Sequence, residues 1–413
     1  MYDPTIHAKT LARQVRKSDF AADSSLGIGT NLNLAIDDAV TIGASGFGSI
    51  SLTTNKLRGK SVYQLTNLSE SLVVRHITSN IRRITSVKQD DRQFIVSCIQ
   101  KMASEGTAFR VYKFDIASFY ESVPSQLILK QLEADMAFSG QSIRVLRSLF
   151  LQLDAAGVVG LPRGMSLSAT LAEYLLRGFD SLISGASGVW FYARFVDDIV
   201  IITDGREDKV EFTKLAADSL PSGLHFNRKS TSIDFAPFVK GNVANEEGCF
   251  DFLGYHFSVS LAHRNKAIDD KIRRVAWMDI APSKVRKLKT RLARSLVSYA
   301  GDNDFETLLA RFRLLTSNFK FIDLKTGIQR SSGIYFNYPL VDVDRSLALP
   351  ELDNYLVRSV TSPHPRNRLR PAMTAAQRQR LLNLRFQDGF RKRRFFSFSA
   401  NRLSALTGCW AYA

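Results

Sequence analysis

The chain has 413 residues, of which 45% are hydrophobic and 23% charged, enough for about two to four structural units and too apolar for wholesale disorder. No apolar run reaches the roughly 18 residues of a membrane span, and the opening MYDPTIHAKTLARQ lacks the apolar core of a signal peptide, so no membrane and a cytoplasmic setting are expected. Lys and Arg outnumber Asp and Glu by 56 to 39, a net +17 that favours a polyanionic partner, because each neutralised phosphate releases counterions. Cys98, Cys249 and Cys409 lie far apart with no CxxC, which excludes a disulfide framework and a zinc site.

In chain order, TIGASGFGSI at 41–50 lacks the GK[ST] of a phosphate loop and reads as turns. Residues 73–102 mix β-branched residues with Arg and Lys and predict a strand pair leading into a helix with a basic face. Val111 to Phe114 predict a strand ending at Asp115, with a helix from Ser118. GLPRGMSLSATLAEYLLRGFDSLI predicts a tight Gly-Pro-Gly loop, a cap at Ser166 or Ser168, and a helix burying Leu171, Leu175, Phe179 and Leu182. VWFYARFVDDIVIIT at 189–203 predicts a hairpin with Asp197 and Asp198 at its turn. Lys229 follows a turn in LHFNRKST, and FDFLGYHFSV predicts a second hairpin bending at Gly254.

Further on, Pro282 and an expected N-cap at Ser283 introduce a helix with an apolar stripe of Val285, Leu288, Leu292 and Leu296. Its other surface carries Lys284, Arg286, Lys287, Lys289, Arg291 and Arg294, which suits either solvent or a phosphate backbone. From Pro363 to Arg402 there are eleven Lys and Arg against one acid, Asp388, so these forty residues hold +10 of the +17. Phe386, Phe390, Phe395, Phe396 and Phe398 interleave with the cations, an arrangement that suits stacking on bases better than mere solvation.

The chemistry concentrates in three acids. Alone, Asp115 reads as a cap or surface acid, and Asp197-Asp198 as a polar turn. Two adjacent carboxylates between Phe195 and Ile199–Ile202 repel each other in a poorly hydrated setting, however, and a divalent cation offsets that economically. If the strands carrying Asp115 and Asp198 are neighbours, the three acids converge. Hard oxygen ligands of this kind suit Mg²⁺, and two such ions clamp the attacking and leaving oxygens in nucleotidyl transfer.

The order strand–Asp, Gly-Pro-Gly loop and helix, aromatic-x-Asp-Asp hairpin, Asn-x-Lys, Phe-Leu-Gly-Tyr resembles the successive motifs of reverse transcriptases. By this resemblance Asp115, Asp197 and Asp198 are catalytic, and the Ile116 backbone carbonyl completes a site for two Mg²⁺ ions, with Mn²⁺ as a substitute. Leu161-Pro162-Arg163-Gly164 is the loop that braces nucleotide and template, and Lys229 assists pyrophosphate departure. Phe252, Leu253, Gly254 and Tyr255 form the primer grip, and Tyr120 is the aromatic that blocks a ribose 2′-hydroxyl. Arg82, Arg83, Lys88 and Arg92 are finger contacts to triphosphate or template. Two departures stand out: Phe195 replaces the usual Tyr of the Asp-Asp box, and Arg163 stands where many relatives carry Gln.

The implied fold is an α+β right-handed polymerase. Its expected domains are an N-terminal segment and fingers over 1–110, a palm over 111–260 with 136–160 contributing to the fingers, a helical thumb over 261–360 and a basic extension over 361–413. KFDIASFYESV, VKQDDRQFIV and GLPRGMSLSATLAEYLL resemble bacterial antiviral, abortive-infection-like reverse transcriptases, nearest the first component of the type three defence system. That likeness implies an RNA template in the form of a small non-coding RNA, a DNA product, deoxynucleotides and a second reverse transcriptase subunit. Rival readings are an RNA-binding scaffold with little synthesis, and a template-independent or protein-primed DNA polymerase using a hydroxyl such as that of Tyr2 or Tyr63. The three intact acids argue against the first. A nucleotide cyclase on a related palm is disfavoured by the Leu-Pro-x-Gly loop, the primer-grip motif and the basic thumb.

Overall fold

The computed structural model describes residues 4–57, 59–265, 270–322, 328–361 and 373–411, so Tyr2 and part of the basic extension lie outside the described residues. The chain divides into two compact units, one made of the chain up to Asp91 with Phe109–Asp234, the other of Arg92–Ala108 with the chain from Phe235 onward.

In the first unit, β1 (Leu52–Leu57) and β2 (Lys60–Leu65) form an antiparallel ribbon. A four-stranded sheet follows, built from β3 (Phe109–Asp115), β4 (Val189–Phe195), β5 (Asp198–Thr203) and β6 (Thr231–Phe235) in the order β4-β5-β3-β6. From Ile199 to Thr203 every residue of β5 is buried, which is why a continuous apolar run rather than an alternating one marks this inner strand. The helices Leu68–Thr85, Gly140–Ala155 and Ser166–Ser184 supply Ile77, Ile81, Leu149, Leu171, Leu175 and Phe179 to the same core as Ile199 and Ile201. Each such side chain contributes about 1.5–3 kcal/mol of burial.

Four local expectations are corrected. Residues 73–102 form no strands: Leu68–Thr85 and Arg92–Ala103 are helices. The repeat Leu72/Val73, Ile77, Ile81 makes a buried helical stripe that overrides β-branched propensity, the Asn67 side chain caps the first helix by accepting from the Ser69 amide, and Ser86 ends it with φ +57°. The first half of 41–50 belongs to the helix Gly29–Ser45, and the turn starts only at Gly46. Neither Ser166 nor Ser168 caps its helix; Met165 is the N-cap residue, and the Ser168 hydroxyl donates to the Pro162 carbonyl at 2.7 Å. Leu182 is exposed, and Ile183 takes the buried position.

The second unit holds β7 (Glu246–Phe252), β8 (Tyr255–Ser260), the short ribbon β9 (His263–Asn265) and β10 (Lys271–Arg273), and β11 (Ala276–Ile280), with a sheet ordered β11-β8-β7. Arg274 is buried between β10 and β11 and donates to the carbonyls of Glu105 (2.8 Å) and Thr107 (2.7 Å) while pairing with Glu247 at 3.2 Å. The helix Pro282–Asp302 starts with Pro282 at its first turn after Ala281, so Ser283 is not the cap. It buries Val285, Leu292 and Leu296 as expected, while Leu288 is half-buried.

The helices Phe305–Thr316 and Ala348–Thr361 complete the layer. A last sheet joins β12 (Asn318–Ile322), β13 (Gln329–Gly333) and β14 (Phe395–Ser397), with β14 parallel to β12. Phe386 and Phe390 are core residues, not stacking surfaces. All three cysteines are free thiols.

Candidate active site

β3 and β5 are direct neighbours, and their antiparallel register pairs Asp115 with Asp198. The β4–β5 turn leaves Val196 and Asp197 between Phe195 and Asp198, which are themselves a cross-strand pair. Past the end of β3, the Ile116 amide donates to the Asp197 carbonyl at 3.2 Å, so two strand ends carrying three acids are tied by backbone bonds. Val196 has φ +62°, a left-handed conformation that a β-branched residue adopts only where its surroundings enforce it.

Arg194 does much of that enforcing. The residue is 6% exposed, and its guanidinium donates to the Val196 carbonyl at 3.1 Å and pairs with Asp180 (2.8 and 2.7 Å) and Glu173 (2.7 Å) on the helix Ser166–Ser184. Burial alone would lower its pKa, but the hydrogen bonds and charges of Asp180 and Glu173 reverse the direction and hold it raised. Beside it, burial pushes the Asp197 carboxyl above the ordinary carboxylate range, and the charge of Asp115 adds to that.

The other side of Asp115 meets Asn227. Its backbone N–H donates to the Asp115 carbonyl at 2.6 Å, and its side-chain amide donates to Asp115 Oδ2 at 3.0 Å. In the Asn-x-Lys run the motif resemblance gives a role to the lysine alone, and no local pattern points to Asn227 as the partner of Asp115. Lys229 is exposed, with its backbone N–H 3.3 Å from Asn227 Oδ1.

Tyr120 follows Asp115 by five residues and is half-buried. Its carbonyl accepts from the Leu161 amide at 2.8 Å, and Gly160, at φ +69°, lies so close that a Cβ there would stand 2.4 Å from that oxygen. Arg163 lies over the Tyr120 ring at 4.9 Å and is forked onto Glu121 at 3.1 Å, which Lys60 also reaches at 3.5 Å. The loop is locked to the β1–β2 ribbon: the Tyr63 amide donates to the Arg163 carbonyl at 2.7 Å, and Gly164, at φ +104°, leaves no room for a side chain against Val62 and the Tyr63 backbone. A cleft of about 230 Å³ opens here, lined by Lys60, Ser61, Tyr63, Glu121, Leu161 and Arg163 among others.

The family model described as reverse transcriptase (RNA-dependent DNA polymerase) matches residues 49–257, just over half of the chain. The chain belongs to this family. Among solved structures it is similar to apo telomerase from Candida tropicalis truncated from its C-terminal domain, at 14% identity and a TM-score of 0.35. That likeness covers 55% of this chain and 58% of the telomerase chain, so the chain spans less than two thirds of that structure. No curated protein matches.

Family membership makes this an α+β polymerase fold, in keeping with the sheets and helices above. Family members act with divalent metal ions, and the donors present fit one. Among the described residues no three His, Cys, Asp or Glu side chains form a ready cage. Mg²⁺ needs none, being held by one or two carboxylates with substrate phosphates supplying the rest. The repulsion between Asp115 and Asp197 marks where such a charge would be stabilising.

Arg82 and Arg83 lie exposed on the last turn of the helix Leu68–Thr85, and Arg82 donates to Thr170 Oγ1 at 2.8 Å. Arg92 donates to the carbonyls of Leu253 and Asn337, both at 2.8 Å, and lies 5.0 Å over the Tyr255 ring. It braces the bend between β7 and β8, where Leu253 (φ +45°) and Gly254 (φ +83°) make the tight turn between Phe252 and Tyr255. Among the described residues no helix is long and apolar enough to cross a membrane.

Proposed function

We propose that the chain is an RNA-directed DNA polymerase that extends a primer with deoxynucleotides, serving bacterial antiviral defence in the cytoplasm with a non-coding RNA and a second reverse transcriptase subunit. The observation that carries the catalytic part is the β3–β5 register, which sets Asp115 opposite Asp198 and bonds Ile116 to Asp197. The defence setting and the partners rest on the motif resemblance alone. In this reading residues 1–110 and 136–160 supply the fingers, 111–260 the palm, 261–360 the thumb and 361–413 a basic extension.

Asp115 and Asp197, with the Ile116 carbonyl, would hold two Mg²⁺ ions, and Asp198 tunes the local charge. When bound, the ions supply charge stabilisation at the attacking and leaving oxygens. The chain's own residues do the positioning that dominates such catalysis. Asn227 fixes the Asp115 carboxylate, and Arg194 fixes the turn that presents Asp197. Tyr120 stands against a ribose 2′-hydroxyl, and Arg163 and Gly164 line the nucleotide's seat. Arg82, Arg83 and Lys229 offer positive charge to phosphates, and Phe252-Leu253-Gly254-Tyr255 grip the primer.

The test is incorporation of labelled deoxynucleotides by purified protein with its co-purifying RNA and Mg²⁺, beside Asp197→Ala and Asp198→Ala variants. Synthesis that disappears in the variants, on chelation and after RNase supports the reading. Synthesis that survives RNase favours untemplated or protein-primed extension, and none under any condition favours a scaffold.

A further inference from the structure

The β12–β14 sheet carries a face that no part of the catalytic reading uses. Register fixes which side chains share it: Lys320 pairs with Ser331 on one side and Ser397 on the other, Ile322 pairs with Gln329, and Asn318 pairs with Phe395. Lys320, Ile322, Gln329, Ser331, Phe395 and Ser397 therefore alternate onto one surface, and all six are exposed, Phe395 by 43% and Ile322 by 58%. The opposite face, with Phe319, Phe321 and Phe396, is half-buried. Phe395 and Ile322 together put apolar surface in water beside the Lys320 cation.

The aromatic is also built in. Phe336 packs against the Phe395 ring at 5.4 Å, and Lys320 Nζ lies 5.7 Å over it. Arg391, Lys392, Arg393 and Arg394 run directly into β14, and Arg393 stands 4.3 Å over the Tyr335 ring. Asp344 and Asp388 pair with three of these four cations and leave the segment net positive.

We propose that this face is a platform for single-stranded RNA, separate in sequence from the motifs at 115–255. A base stacks on Phe395, with Lys320 and Arg393 meeting the flanking phosphates. The hydroxyls of Ser331 and Ser397 and the amide of Gln329 are donors and acceptors for ribose 2′-hydroxyls. Duplex is excluded by the mode itself, since a stacked base has no exposed face to offer. The proposal stands independently of the catalytic reading.

The experiment titrates full-length protein with a fluorescent unstructured 15-nucleotide RNA across a salt series, using the wild type, Lys320→Ala, Phe395→Leu and the double variant. Phe395→Leu keeps an apolar contact for Phe336 while removing the aromatic face, so a loss there does not reduce to misfolding. Expected are an affinity about 10-fold lower in the double variant and a log–log salt slope shallower by about 0.7 for Lys320→Ala. Denaturant unfolding of the variants should match wild type, so that a loss of RNA affinity reports the face and not the fold.

Affinity within twofold of wild type in the double variant would overturn the platform. An equal loss with the matching DNA oligonucleotide would overturn the assignment to RNA. Displacement of the RNA by polyglutamate at matched charge would overturn base stacking in favour of an acidic protein partner.

Discussion

Asn227 holds Asp115 at two points, its backbone N–H on the carbonyl at 2.6 Å and its side-chain amide on Oδ2 at 3.0 Å. The first bond sets where the strand end lies, and the second sets which way the carboxylate faces. Asn227→Ala removes only the second. A hydrogen bond to a charged group is worth about 1.5–3 kcal/mol, so the rate of single-nucleotide addition is expected to fall roughly 10- to 100-fold. Asn227→Asp should do worse, because it sets a like charge against Asp115. Wild-type rates in the alanine variant would show that the carboxylate needs no such brace.

Arg194 neutralises two acids inside the first unit while holding the strained carbonyl of Val196. Arg194→Ala leaves Glu173 and Asp180 without their cation, and breaking a buried pair in this way costs about 3–5 kcal/mol. Denaturant unfolding should register that loss. Arg194→Lys keeps a charge but not the fork, so it should recover much of the stability and less of the activity. Equal recovery of both would mean that charge alone suffices.

Arg163 is both forked onto Glu121 and stacked on Tyr120, so the two contacts fix the aromatic's position from one side. The pair is about one-third exposed and is worth at most about 1 kcal/mol of stability. Its effect belongs in selectivity instead. Arg163→Gln and Glu121→Gln are each expected to lower discrimination between deoxy- and ribonucleotides by about fivefold, the factor for roughly 1 kcal/mol, with Tyr120→Ala lowering it further. Ratios of kcat/KM for the two nucleotides measure this. Relaxation in Tyr120→Ala alone would leave the gate and remove Arg163 and Glu121 from its support.

His256 on β8 pairs with Asp251 on β7 at 2.6 Å, and that bond raises its pKa despite partial burial. The folded-state value lies above the unfolded one, so the pair's stabilisation is fully present below about pH 6.5 and fades as pH rises through the raised folded value. Both side chains are partly exposed, which limits the gain to about 1 kcal/mol or less. In Asp251→Asn the imidazole should titrate lower by NMR, with the acid-side stability reduced. An unchanged titration would show that the carboxylate does not set it.

Local structure that depends on residue type and order was legible without coordinates. The apolar runs on either side of Asp197 and Asp198 mark two strands with the acids at their bend, because the runs can then pair and pack while the carboxylates stay at the end of the sheet. Gly254 marks its turn because a tight two-residue bend needs positive φ. What failed was reasoning from composition over short stretches. Val73, Val74 and Ile77 suggested strands, yet spacings of three and four residues to Ile77 let one helix bury them all. Phe386 and Phe390 looked like a stacking surface and instead fill the core, while Phe395, four strand positions from Ile322 by register and so on the same face, remains open.

The residues that hold the site lay beyond any local pattern. Arg194 and Asp180 are fourteen positions apart, and Asn227 and Asp115 are separated by 112. Sequence determined that this chain carries three acids at strand ends, a glycine-framed loop and a basic, aromatic-rich end. Only tertiary structure decided that Asp115 faces Asp198 across one ladder, that Arg92 donates to the bend at Leu253, and which phenylalanines stay in water. The reason is physical. Side-chain type and periodicity fix what each segment must bury, whereas the partner of a hydrogen bond is set by register and packing, and these are properties of segments meeting in space.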